Sequence, residues 1–119
     1  MDIGIWMQPA VLEHKLEARR ERNTEQAWNL SRWPTGFKEG EDNRLFVANR
    51  GAWRGYFSIT DALLLRTGAR IEYTLLFDTA TWTPIKPLPV KRFRGFTKRV
   101  PKLLPDGSVL PYDTSSVRG

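Results

Sequence analysis

Two short stretches place an arginine between aromatic residues: WRGYF at 53–57 and FRGFT at 93–97. A guanidinium beside a ring suits one kind of chemistry well. The ring stacks on a nucleobase while the cation pairs with a phosphate, and each stacked base is worth about 1–3 kcal/mol. If both stretches are strands, alternation sorts their side chains by face. Trp53, Gly55, Phe57 and Ile59 then share one face, expected to be the core, with Arg54 and Tyr56 opposite. In the second stretch Phe93, Gly95 and Thr97 share a face, and Arg92, Arg94, Phe96 and Lys98 the other. The plain alternative is that cross-strand Arg–aromatic pairs stabilise a sheet by about 0.2–1 kcal/mol each and bind nothing.

Charge separates the two stretches. Residues 1–85 carry equal numbers of basic and acidic side chains, whereas residues 86–102, KPLPVKRFRGFTKRVPK, hold seven basic groups and no acid. The whole net charge of +6 therefore arises from one segment. Such a local field favours a polyanion, with Lys91, Arg92, Arg94, Lys98 and Arg99 as phosphate partners and Tyr56, Phe96 or Trp33 as stacking rings. It equally describes a solvated strand edge that Lys protects from pairing. Trp33, in SRWPTGF, reads as a stacking platform at a pocket rim or as a core lid. Trp6, Trp28 and Trp82 read as packing residues.

The elements that must position these groups follow from patterning. Residues 3–7, IGIWM, read as a strand stopped by Pro9. Residues 10–22, AVLEHKLEARRER, read as a helix, and Thr24 caps a short second helix, EQAWNL. RLFVANRGAWRGYFSI reads as a hairpin, 44–49 and 52–59, turned at Asn49-Arg50-Gly51. RIEYTLLF (70–77) alternates as a strand, and DALLLRTG before it is a helical turn or a strand extension. TPIKPLP (83–89) has too many prolines for a central strand and is expected to run extended along the outside. VKRFRGFTKRV (90–100) resumes strand character. Strands outnumber helices and the helices group near the N-terminus. The expected fold is α+β: one domain over 1–102 built on a small, twisted, mostly antiparallel β-barrel or sheet with N-terminal helices, followed by a 103–119 tail on the surface or frayed.

Several classes are disfavoured. There is no cysteine and one histidine, His14, so neither a disulfide framework nor a structural zinc site is expected, and no cofactor. The first residues lack a basic n-region, and no stretch approaches the ~20 apolar residues of a membrane span. An intracellular, cytoplasmic setting without membrane contact is the expectation. No nucleophile elbow, phosphate loop or H-E-x-x-H is present.

MQPAVLEHKLEARRER, RWPTGFKEGEDNRLFV and AWRGYFSI, with FRGFTKRVP as a late aromatic-Gly-aromatic strand, together resemble the PUA-like superfamily, its ASCH and EVE branches most. That resemblance spans residues 3–100. It implies a small twisted β-barrel flanked by helices, with RNA or a modified base held in a cleft. Lys15, Glu17 and Arg19 would line one side of that cleft, and Trp33 and Trp53 its mouth. Some ASCH-type proteins are amidohydrolases acting on acylated cytidine; here Lys15, Glu17 (or Glu72) and Thr24 would be the counterparts. The run Lys-Thr-x-Glu is broken because Leu16 follows Lys15. Three functions are therefore carried forward: a nucleic-acid-binding module, a protein-interaction module or inhibitor with an acidic partner, and a small amidohydrolase.

Overall fold

In the computed structural model, residues 1–18, 22 and 24–112 are described. The fold mixes α and β and is mostly strands. Its order is β1 (Asp2–Trp6), α1 (Pro9–Ala18), β2 (Glu25–Leu30), β3 (Arg44–Asn49), β4 (Ala52–Thr67), β5 (Arg70–Pro89), β6 (Phe96–Thr97), β7 (Lys102–Leu103) and β8 (Val109–Leu110). Six strands form one sheet in the order β2-β5-β4-β3-β1-β6, and β7 with β8 makes a separate ribbon. Only β1 and β3 run parallel, as the α1 crossover between them requires.

The hydrogen-bonded sheet is open rather than closed into a barrel, but it curls until its edges meet. Arg32, two residues past β2, lays its guanidinium 4.8 Å over the Phe96 ring in β6. Lys98 Nζ, just past β6, donates to Thr35 Oγ1 at 2.7 Å. Side chains alone hold this seam, since β2 pairs only with β5 and β6 only with β1. The curl has a visible cause in β5. Between the pairs Tyr56–Thr83 and Ser58–Asp78, four residues of β5 oppose the single residue Phe57. Thr81 fills that gap by accepting the Ser58 amide at 2.8 Å, and Thr79 ties it to Thr24 O through both its amide and its hydroxyl.

Two clusters pack the two sheet faces. Ile3, Ile5, Met7, Leu45, Val47, Phe57, Leu75 and Phe77 fill the inside of the curl, under Leu12 of α1. Phe46, Ala48, Trp53 and Val100 pack the outside, with Trp6, Tyr56, Leu88 and Phe93 against them.

Three expectations need correction. EQAWNL is the strand β2, paired with β5 from Glu25–Asp78 to Leu30–Tyr73, so α1 is the one helix among the described residues. Its mixed propensity yields to a complete partner strand. Residues 90–100 are mostly irregular: Gly95 takes φ +66, which ends extended structure, and only Phe96 and Thr97 pair. Third, period-two sorting fails in β4. The pairing shifts between Trp53 and Gly55, leaving Arg54 as the extra residue of a bulge opposite Val47 and Ala48. Trp53 therefore joins Tyr56 on the outer face while Arg54 turns with Phe57 to the helix side. The prolines of TPIKPLP lie in β5 beyond the reach of β2, along a free edge where a missing N–H costs nothing.

The 49–52 turn was legible and carries a strain. Arg50 (φ +50) and Gly51 (φ +76) are both left-handed, the type I′ geometry that favours Asn-Gly. An arginine at the first of these positions costs on the order of 1 kcal/mol. Arg50→Asn is expected to raise stability by about 0.5–1 kcal/mol, read as a higher urea midpoint with unchanged slope.

Candidate nucleic-acid interface

The basic segment leaves β5 at Val90, whose amide donates to Gly51 O at 3.0 Å, and crosses the outer face as an irregular loop. Its hinge is Phe93. That ring meets Trp6 edge-on at 5.7 Å and Trp53 at 5.5 Å. Anchored so, the loop has a groove on each side. One, of about 560 Å³, opens at the seam and is lined by Trp6, Gln8, Trp28 and Arg92 through Gly95. The other, of about 450 Å³, lies between Phe93, Leu88, Arg99 and Tyr112, with Trp53 at its base.

All seven cations of residues 86–102 are exposed. Among the described residues none of them forms an ion pair, and only Lys98 uses its side chain in a hydrogen bond. Arg92 sits 5.8 Å over the Trp6 ring. Cations with no internal partner retain their full attraction for an outside anion.

The sequence-chosen residues divide. Lys91, Arg92, Arg94 and Arg99 do gather on this face. Lys98 is at the seam, bound to Thr35. Phe96 is 8% exposed in the inner core and offers no stacking surface. Tyr56 is half-buried against Phe46 at 5.1 Å. Arg54 lies on the helix side, its Nε donating to Asn49 O at 3.1 Å and its Nη2 to Arg50 O at 3.2 Å. Trp33 is exposed, but against Tyr73 on β5 rather than beside the basic loop. The convergence of Arg54, Tyr56, Arg94 and Phe96 expected from alternation therefore does not occur. Trp6 and Trp28, read as packing residues, supply the rings instead. Trp6 was recoverable: Ile3, Ile5 and Met7 are the inward set, which leaves Gly4 and Trp6 outward.

Comparison with known protein families, characterised proteins and solved structures finds no match for this chain.

The cleft implied by resemblance does not assemble as drawn. Trp53 is 3% exposed, on the opposite sheet face from α1. Glu17 lines a cleft beside α1, but Lys15, two positions away and so on another side of the helix, reaches β2. Its Nζ donates to Ala27 O at 3.2 Å and Gln26 Oε1 at 3.4 Å. Thr24 engages Thr79 through its carbonyl. Arg19 lies outside the described residues. Burial lowers the Lys15 ammonium below the ordinary lysine value of 10.5. Between that lowered value and 10.5 the unfolded chain binds the extra proton, so stability rises with pH across this window. A lysine Cε titration by NMR should show Lys15 deprotonating below the ordinary lysine value.

No helix among the described residues is long and apolar enough to cross a membrane.

Proposed function

We propose that this chain binds single-stranded RNA or DNA across its outer face. Phosphates sit on Lys91, Arg92, Arg94 and Arg99, with Lys98 at the margin, and one base enters the seam groove against Trp6 and Phe93. The observation that carries the proposal is the cationic segment 86–102, whose seven cations are exposed and form no ion pair among the described residues, with Lys91, Arg92, Arg94 and Arg99 lining two ring-lined grooves. Rings available for stacking favour unpaired bases over a duplex. The curled sheet with a helix after its first strand supports reading the fold as PUA-like, though the residues gripping the ligand are not those the resemblance names. A cytoplasmic setting follows from the same proposal.

Intrinsic tryptophan fluorescence, titrated with oligouridylate and oligodeoxythymidylate over a salt series, tests it. Five phosphate contacts give a slope of log K against log salt of about −3.5 for single strands. Absence of binding to either strand at low salt removes the proposal.

A protein partner is the second reading, favoured by one observation. The β4–β5 hairpin runs beyond the reach of the other strands and ends in Leu64, Leu65 and Ile71, each close to half exposed. Apolar tips of this kind serve contacts with proteins rather than with phosphates. An amidohydrolase finds no support in the placement of Lys15, Glu17 and Thr24.

A further inference from the structure

A different cleft, of about 470 Å³, lies on the other side of the sheet, between α1 and the β3–β4 turn. Leu12, Leu16 and Pro9 give it an apolar floor, and its two walls carry opposite charge. Glu13 and Glu17, one helical turn apart, present carboxylates from α1. Arg50 and Arg54 present guanidiniums from the turn and the bulge. No ion pair spans the gap among the described residues, so the walls stand further apart than direct contact.

Two details mark the cationic wall as suited to a ligand. The Arg54 guanidinium is fixed by backbone carbonyls, and no carboxylate pairs with it among the described residues, so its position is set while its charge stays uncompensated there. Its Nη1 amino group makes no hydrogen bond among the described residues. Next to it, Asn49 also lines the cleft, at 4% exposure. Arg50 keeps its charge in a left-handed turn position where asparagine or glycine would be more stable, the kind of strain that collects at binding sites.

We propose that this cleft binds a small amphoteric molecule, an amino acid or close relative. Its carboxylate is taken by Arg54 and the Asn49 amide, its ammonium by Glu13 and Glu17, and its aliphatic carbons rest on Leu12 and Leu16. Bidentate pairing of a guanidinium with a carboxylate orients one end, and the acidic helix face excludes a plain anion from the other. This site is separate from the basic loop and stands or falls independently of nucleic-acid binding.

The test uses the full chain and backbone and side-chain amide NMR. The probes are L-leucine and ε-aminocaproate, which differ in the separation of their charges. Each is compared with its one-ended analogues: isocaproate and isoamylamine for the first, caproate and amylamine for the second. At least one amphoteric probe should shift the Asn49 side-chain and Arg54 Nε signals saturably below about 20 mM, at least about tenfold more tightly than either of its analogues. Glu13→Gln with Glu17→Gln, both exposed on the helix, should weaken that probe about tenfold and leave the carboxylate-only analogue no weaker. The proposal is overturned if neither amphoteric probe saturates, if a one-ended analogue binds equally well, or if the double Gln variant binds the amphoteric probe unchanged.

Discussion

Replacing Arg92 and Arg94 together by glutamate is expected to weaken single-strand binding by on the order of 100-fold or more. Each is an exposed cation without an ion-pair partner among the described residues, and a hydrogen bond between charged groups contributes about 1.5–3 kcal/mol. The salt slope should flatten by about 0.7 for each phosphate contact removed, so from about −3.5 toward −2. An equal change in net charge at the tip of the β4–β5 hairpin, Arg66→Glu with Arg70→Glu, at the other end of β5 from the loop, should leave the slope nearly unchanged, because charges beyond a Debye length of about 8 Å are screened at physiological salt. Trp6→Leu separates stacking from charge: affinity falls roughly tenfold while the slope stays the same. If both double-glutamate variants weakened binding equally, net charge rather than this loop would be responsible.

The second large effect is on stability. Gly4→Ala should cost about 2–3 kcal/mol, lowering the melting temperature by roughly 10 °C. A Cβ at Gly4 would lie 2.6 Å from Cζ3 of Trp53 and 2.9 Å from Cγ1 of Val100, with Cη2 of Trp53 closer still. Trp53 has nowhere to withdraw to, since Phe46 stands 6.2 Å and Phe93 5.5 Å from its ring centre. Loss of unfolded-state freedom returns only about 0.4–1 kcal/mol. Trp53→Phe in the Gly4→Ala background should recover part of the loss, a coupling that a double-mutant cycle of urea midpoints measures. Gly55→Ala is expected to be at least as damaging. There the new methyl meets a backbone atom, Thr83 O at 2.5 Å, which cannot rotate aside.

Those two glycines show what the sequence disclosed and what it withheld. The hairpin at 44–59 was legible because RLFVAN, the Arg-Gly turn and the apolar run after it are all local signals. The strand at 70–77 was legible from alternation, and α1 from helix-forming residues ahead of a break. EQAWNL was misread because its strand state depends on β5, some fifty positions away in sequence. Alternation was the deeper failure. One bulged residue, Arg54, exchanged the faces of everything before it with respect to everything after it, and no feature of WRGYF announces that exchange. At the second stretch the position of Gly95 was visible, but its left-handed φ was not. Charge survived both errors. It needs no register, and Lys91, Arg92, Arg94 and Arg99 do lie together along the two grooves of the outer face.

Side chains, Arg32 over Phe96 and Lys98 to Thr35 among them, bridge the gap between the sheet's first and last strands, and no backbone ladder does so among the described residues. A ladder of backbone bonds has one width and breaks if pulled. Two pliant side-chain clasps do not impose one. A guest wedged between Trp6 and Trp28 can spread the rim without severing a single main-chain bond, and the rim can draw shut once the guest leaves. On the proposed function, the seam that could widen for a guest is the one where the rings and the cations already stand.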